Sequence, residues 1–276
     1  MLETVTDWGS VYDNTGNIPD GTSWPERWVG PARAFREAVE AEGRARMGLA
    51  YGPGSRNRLD LFLPQGAPRG LVVYIHGGFW MQSDRSFWSH LAAGPLLHGF
   101  AVAVPEYSLC PTIRITGITA EIGAAITAAA GMVAGPIRLV GHSAGGHLAS
   151  RMACMDAPLS REVQARLAGI VSISGLHDLR PLLRVPQCAP LALDEAEALA
   201  ESPALLRPVP GTRLTCWVGG SETSEFRRQS ALLANIWLGL GAATEAVEEA
   251  GRHHFDIVDG LTDAGHPLVR TLLDLA

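Results

Sequence analysis

Short apolar runs rich in β-branched residues recur along the chain, and most of them end at a glycine or a polar residue. Continuous runs of this length are typical of strands buried on both faces, as in a parallel sheet. The predicted strands lie at residues 59–64, 70–78, 99–107, 135–143, 167–175, 213–221 and 242–250.

Segments of helical character separate these strands, and the alternation predicts a mostly parallel, doubly wound α/β sheet with helices on both faces. A proline-rich stretch at 176–210 interrupts the alternation, and we expect it to form either a small cap or an excursion over the carboxyl edge of the sheet. Since no repeat or linker is visible, we predict a single domain over 1–276 with an N-terminal extension over 1–45.

The composition narrows the class of protein. The 276 residues are 47% hydrophobic and 18% charged, which indicates a folded chain with a sizeable core rather than a disordered one. The net charge is -6 and the basic residues are scattered, which argues against nucleic acid as a partner. The apolar composition is compatible with a homodimer.

The cysteines predict no metal or redox site, and the N-terminus predicts no targeting segment. Cys110, Cys154, Cys188 and Cys216 form no CxxC pair and no metal-ligand spacing, so we expect free buried thiols and neither a metal nor a cofactor. No basic region followed by an apolar run opens the chain, and no run looks long enough to span a bilayer. A cytoplasmic protein without membrane contact is therefore expected.

One strand-to-helix junction carries chemistry. The sequence Gly141-His142-Ser143-Ala144-Gly145 fits G-x-S-x-G, in which glycines allow a turn so sharp that a bulkier residue would collide. The turn presents the serine hydroxyl beside a helix N-terminus, whose free N–H groups favour a developing negative charge. We predict that Ser143 is a nucleophile; the alternative is that it only caps the helix.

A nucleophilic serine needs a histidine base held by an acid, and in sheets of this type the chain order is serine, acid, histidine. Only His253, His254 and His266 follow the strand at 213–221. We favour His254, just before Phe255, because His266 starts the last helix, where a capping role is more natural.

The acid should follow the strand at 213–221, where "GGSETSEF" offers Glu222 and Glu225. Glu222 is closer to the strand end and is the preferred candidate. Glu225 fits the first turn of a helix, where the helix dipole stabilises a carboxylate whether or not it has a catalytic role. Asp178, after the preceding strand, remains a third candidate.

The sequence "HGGFW" at the end of an early strand supplies a second source of backbone N–H groups. Gly77 and Gly78 would let the backbone approach a substrate oxygen, and the amides of Gly78, Phe79 and Ala144 should point at the oxyanion. His76 is expected to bond within this loop rather than to act as a base.

Substrate contacts are predicted nearby. Phe79 and Trp80 could form an aromatic wall, although Trp80 could equally pack beneath the loop. His142, beside the serine, and His177, past a strand end, are further candidates. For His177 a solvated loop or a structural contact is an equal alternative.

Taken in order, "HGGFW", "PEYSLCP", "GHSAGGH" and "HHFD" resemble the α/β-hydrolase fold, and more narrowly the branch of arylformamidases (kynurenine formamidases) and small bacterial esterases. The early "VYDNTGNIPD" is similar to that branch's entry segment. This resemblance implies an α/β-hydrolase fold with a serine triad. Two departures stand out: Glu222 occupies a position where the formamidases usually have aspartate, and "PEYSLCP" replaces the "DYRLAP" of the wider esterase group.

We therefore expect a serine hydrolase that cleaves a small carboxylic ester or an N-formyl aryl amide through a Ser143–His254–Glu222 triad. A carboxylesterase is slightly favoured over a dedicated N-formylkynurenine formamidase. A hypothesis from another class is a noncatalytic binding protein on this fold. A serine-directed fluorophosphonate label separates the two classes, since the binding protein should not react.

Overall fold

The computed structural model describes residues 4–275, and its strands form one 8-stranded sheet. The strands are β1 (Ala45–Ala50), β2 (Arg58–Phe62), β3 (Leu71–Ile75), β4 (Ala101–Pro105), β5 (Ile137–His142), β6 (Leu167–Ile173), β7 (Arg213–Gly219) and β8 (Ala243–Glu249). Their order across the sheet is β1-β2-β4-β3-β5-β6-β7-β8. β2 is antiparallel to both of its neighbours, and all other pairs are parallel.

Helices cover both faces of the sheet. They are α1 (Trp8–Tyr12), α2 (Asn14–Asn17), α3 (Trp24–Ala41), α4 (Ala93–Leu97), α5 (Ile115–Met132), α6 (Ala144–Arg151), α7 (Arg161–Ala165), α8 (Glu195–Ala200), α9 (Ser224–Gly239) and α10 (Pro267–Leu273). One core cluster joins the sheet to α5, α6 and α9, and a second joins it to α3 and α10. The predicted doubly wound α/β architecture is confirmed.

The central strands are the ones whose sequence pattern was clearest. Every residue of β3 and of β4 is buried, as expected for strands covered on both faces. The edge strand β1 was not predicted from the sequence. Its positions are partly buried or exposed, without a continuous apolar run, and its register shifts between Arg46 and Leu49, where Gly48 has a φ of 63°.

Helix α5 corrects one expectation. By length and composition it is apolar enough to cross a membrane, so the chain does contain a run of that length. Half of that run is buried inside the fold, where Ile118, Ile122 and Ile126 belong to the core cluster on one face of the sheet. Packing in the core accounts for its composition.

The cysteines are free and buried, as predicted. Burial raises the pKa of the Cys110 thiol to about 11 and those of Cys154, Cys188 and Cys216 to about 12. A thiol is reactive as the thiolate, so these side chains are inert at neutral pH.

Candidate active site

The strand β5 ends at a sharply bent serine. Ser143 has φ 55° and ψ -118°, and helix α6 begins at the next residue. A non-glycine residue held at positive φ costs free energy, and such strain is concentrated at functional sites. The bend leaves the Ser143 side chain on the wall of a cavity at the carboxyl end of the sheet.

The glycines on either side of Ser143 are required by close packing. A Cβ on Gly141 would lie 2.0 Å from the carbonyl oxygen of Gly145, and a Cβ on Gly145 would lie 1.9 Å from the carbonyl oxygen of Ile75. Neither distance is compatible with a side chain. The crowding predicted from the G-x-S-x-G pattern is therefore present in the structure.

His254 and Glu222 meet beside this serine. The Nδ1 atom of His254 lies 2.6 Å from Oε2 of Glu222, and both side chains are almost completely buried. The other carboxylate oxygen of Glu222 accepts hydrogen bonds from Ser174 Oγ at 2.5 Å and from the backbone N–H of Gly219 at 2.8 Å. Glu222 is thus fixed by three partners, one of which is the imidazole.

His254 is also held from its other sides. Its ring packs against Phe226 at 4.4 Å and against His142 at 4.6 Å, and its carbonyl oxygen accepts a hydrogen bond from His142 Nε2 at 2.8 Å. Burial, and then the neighbouring His254, hold the pKa of His142 well below its ordinary value. His142 is therefore neutral at working pH and donates from Nε2.

Ser143 and His254 line the same cavity. Among the described residues no hydrogen bond joins Ser143 Oγ to His254. In structures without substrate such bonds are often long, and they tighten when substrate binds.

The competing acids have other partners. Glu225 is buried and accepts hydrogen bonds from Tyr12 Oη at 2.6 Å and from Arg228 and Gln229. Asp178 accepts two hydrogen bonds from the Arg180 side chain. Of the three candidate acids, Glu222 is the one that contacts His254.

The competing histidines also have structural roles. The Nδ1 atom of His253 lies 3.3 Å from Asp256, and its ring packs edge-on against Trp24. His266 caps α10 by accepting a hydrogen bond from the backbone N–H of Leu268.

The loop after β3 brings backbone N–H groups to the serine. Gly77 packs so closely that a Cβ there would lie 2.8 Å from the carbonyl oxygen of His142 and 3.1 Å from Ser143 Cβ. Gly78 and Phe79 follow with φ of 110° and 50°, and both line the cavity. Within residues 4–275, the backbone N–H groups of Gly78, Phe79 and Ala144 have no hydrogen-bond acceptor. These are the groups predicted to bind an oxyanion.

His76 makes contacts within the loop and is not placed to act as a base. Its Nδ1 atom bonds the carbonyl oxygen of Gly77 at 2.8 Å, and its ring stacks on Tyr107 at 4.2 Å. Burial lowers the pKa of His76 to about 4. It bonds within the loop, as the sequence suggested.

The cavity has a volume of about 640 Å³. This lies in the range of pockets that enclose small molecules. Its aromatic lining is Tyr12, Trp28, Phe79, Phe87, Trp88 and Phe255.

Comparisons with known proteins agree with this geometry. The BD-FAE family model matches residues 59–202, slightly more than half of the chain. The chain belongs to the BD-FAE family. The match includes the loop at residues 76–80 and Ser143, whereas Glu222 and His254 lie beyond it.

Whole-length similarities extend past the BD-FAE match. Kynurenine formamidase from Danio rerio is 25% identical, over 90% of this chain and 87% of that protein. A crystal structure from Silicibacter sp. TM1040, described provisionally as a thioesterase, is 42% identical with a TM-score of 0.92, over 97% of this chain and 99% of that one. An esterase from Pyrobaculum calidifontis shares the fold at 18% identity and a TM-score of 0.69, over 92% of each chain. The protein is a hydrolase with the α/β-hydrolase fold.

Two predicted substrate contacts of this BD-FAE member lie outside the cavity. Trp80 is completely buried, because its φ of 57° turns the ring into the core, where it packs edge-on against His147. His177 is also completely buried, with ring nitrogens 3.2 Å from Ser150 Oγ and 3.3 Å from Ser172 Oγ. Phe79 and His142 do line the cavity.

The stretch 176–210 is an excursion of short helices between β6 and β7. The stretch 176–210 contributes only Gln187 to the cavity lining, and its Leu182 and Leu191 are buried in the core. A wall of the cavity comes instead from the N-terminal extension. The residues involved include Tyr12, Asp13, Asn14, Thr15 and Trp28. The signal for Tyr12, Asp13, Asn14 and Thr15 is "VYDNTGNIPD", which is similar to the entry segment of the arylformamidase branch.

Proposed function

We propose that this protein removes a small acyl group from an aromatic leaving group, either an N-formyl aryl amide or an aryl ester, through an acyl-enzyme on Ser143. The observation that carries the proposal is the buried hydrogen bond between His254 and Glu222 beside the strained serine. In this scheme His254 is the general base and Glu222 its orienting acid.

The first half-reaction follows from the positions of the hydrogens. Nδ1–H of His254 donates to Glu222, which leaves Nε2 free to take the proton of Ser143 Oγ as the oxygen attacks the carbonyl carbon. The positive charge that forms on the imidazole is stabilised by the Glu222 carboxylate. The backbone N–H groups of Gly78, Phe79 and Ala144 donate to the oxyanion.

The first half-reaction ends when His254 returns its proton to the leaving amine or phenol and the carbon–nitrogen or carbon–oxygen bond breaks. In the second half-reaction, water attacks the ester on Ser143 while His254 takes its proton. His254 then gives that proton to Ser143 Oγ as the bond to the acyl carbon breaks and the carboxylic acid is released. For an N-formyl substrate that acid is formate.

The aromatic leaving group is supported by two observations. The cavity presents several aromatic rings beside Ser143, which suit a flat substrate. The Danio rerio relative is named as a kynurenine formamidase, an enzyme of the N-formyl aryl amide class. A thioester is a second candidate, supported by the provisional thioesterase description of the 42% identical structure.

The test compares kcat/KM for N-formylkynurenine, p-nitrophenyl acetate and a short acyl-CoA thioester, with Ser143→Ala as the blank. We expect values of about 10⁴ M⁻¹s⁻¹ or more for the aryl formamide or the aryl ester, well above the thioester. A thioester value far above both would move the assignment to the second candidate. Rates equal to those of Ser143→Ala for all three substrates would overturn the proposal.

A further inference from the structure

The N-terminal wall of the cavity is firmly attached to the rest of the fold. Its Tyr12 hydroxyl donates to Glu225 at 2.6 Å, and the carbonyl oxygen of Val11 accepts a hydrogen bond from Thr223 Oγ1 at 2.8 Å. Tyr12 is buried, and its ring also packs edge-on against Phe226. Side chains of this wall therefore have a defined position relative to Ser143.

The described residues that line the cavity include a carboxylate but no arginine or lysine. The chain has 22 basic residues of the Lys and Arg type, yet none of them is among the described residues that line this cavity. Asp13, on the N-terminal wall, is the one carboxylate in that lining. The remaining polar side chains there, such as Asn14, Gln82 and Gln187, are uncharged, and His142 is neutral for the reason given above.

The aromatic side chains of the lining also favour a cation over an anion. Trp28 packs against Trp88 at 4.6 Å and edge-on against Phe255 at 5.5 Å, and all three line the cavity. The face of an aromatic ring attracts cations and repels anions. An anionic substituent in the cavity would meet aromatic rings and a carboxylate, and no arginine or lysine among the described lining residues.

We propose that the cavity discriminates among its aryl substrates by charge, favouring a cationic over an anionic substituent, with Asp13 as the residue that sets this preference. The inference rests on the proposed function and adds a substrate class to it. Asp13 is held in place because its Oδ1 accepts a hydrogen bond from the backbone N–H of Gly16 at 2.9 Å, which caps α2.

The experiment uses three phenyl acetates of similar shape that carry different charges at the para position. The groups are trimethylammoniomethyl, the isosteric neutral neopentyl, and sulfomethyl. Each kcat/KM is divided by the ester's rate of hydroxide-catalysed hydrolysis, which removes differences in intrinsic reactivity. At low ionic strength, we expect the cationic ester to exceed the anionic one by about tenfold or more.

Asp13→Asn removes the charge and keeps an oxygen that can cap α2. We expect it to reduce the ratio of cationic to anionic kcat/KM several-fold. The matched control is Asp7→Asn, since Asp7 caps α1 through Ser10 in the same segment but does not line the cavity. Asp7→Asn should keep the wild-type ratio.

The outcomes are distinguishable. A wild-type ratio near one, or one favouring the anion, overturns the charge selection while ester hydrolysis leaves the proposed function intact. Equal ratios in wild type and Asp13→Asn refute the role of Asp13. Failure of the wild-type protein to hydrolyse any of the three esters, together with failure on N-formylkynurenine, would overturn the proposed function, and this inference with it.

Discussion

Replacing Glu222 with glutamine changes the charge of the site while keeping its shape. One carboxylate oxygen accepts from Ser174 and from the Gly219 N–H, so the oxygen of the new amide would stay on that side. The amide nitrogen would then face Nδ1 of His254 and donate to it. That arrangement places the imidazole proton on Nε2, where it blocks the transfer from Ser143.

The magnitude has two parts. Opposite charges about 4 Å apart at an effective dielectric constant of about 20 attract by about 4 kcal/mol, and losing this stabilisation of the imidazolium costs about 10³-fold in rate. The wrong tautomer adds to this loss, and the corresponding aspartate-to-asparagine change in a serine protease costs about 10⁴-fold. We therefore expect kcat of Glu222→Gln to fall by about 10³ to 10⁴-fold, with a much smaller change in KM.

The assay measures kcat and KM for p-nitrophenyl acetate, together with urea denaturation of each variant. Glu225→Gln is the control, because Glu225 is an equally buried carboxylate three residues away whose partners are Tyr12, Arg228 and Gln229. It should lose stability but keep kcat within about tenfold of wild type. The reasoning is refuted if Glu222→Gln keeps more than a tenth of wild-type kcat, or if Glu225→Gln loses more activity than Glu222→Gln does.

Three further predictions concern stability. Gly145→Ala should lower the free energy of unfolding by more than about 3 kcal/mol, because its Cβ would lie 1.9 Å from a backbone oxygen. Gly30→Ala in α3, where a Cβ has nothing within 4 Å, should raise the free energy of unfolding by about 0.5–1 kcal/mol. Urea denaturation of both variants checks this, and equal effects would contradict it. Tyr12→Phe removes a buried hydrogen bond to Glu225 and should lower the free energy of unfolding, measured by the same method, by about 1–2 kcal/mol. Because the cavity wall is loosened, KM should rise more than kcat falls. An unchanged KM would argue against that role for the wall. Acid should destabilise the protein through buried neutral histidines whose pKa values are lowered by burial. His90 and His142 are among them, and the three that are completely buried are His76 (pKa about 4), His147 (pKa about 3) and His177 (pKa about 3). In the unfolded chain, the imidazoles of these three histidines bind protons below about pH 6.5, whereas in the folded protein they stay neutral. Stability that is present above that pH is therefore lost as the pH falls towards 4, at up to about 4 kcal/mol per pH unit. A free energy of unfolding that does not change between pH 7 and 5 would contradict this.

The parts of the site that follow strand ends were predictable from the sequence. Ser143 lies between glycines at a strand-to-helix junction, and Glu222 and His254 follow later strands in the order that this fold requires. Each of these positions is determined by local backbone geometry at the end of a strand. Local signals of this kind are visible in a sequence pattern.

The wall of the cavity was not predictable in the same way. It depends on the contact between Tyr12 and Glu225, which are 213 residues apart, and a local pattern such as "VYDNTGNIPD" does not show what the segment packs against. The sequence left two positions open for Trp80, the cavity wall and the core, for a related reason. The direction of its ring depends on a positive φ in the loop, and that angle cannot be read from the apolar character of the residue.

The central claim is that Ser143 carries the acyl group. The most direct measurement is to inactivate the protein with a fluorophosphonate and to locate the adduct by peptide mass spectrometry. The account predicts one adduct, on the peptide containing Ser143, formed in step with the loss of hydrolysis and absent in Ser143→Ala. Inactivation with the adduct on another residue, or hydrolysis by Ser143→Ala at the wild-type rate, would contradict it.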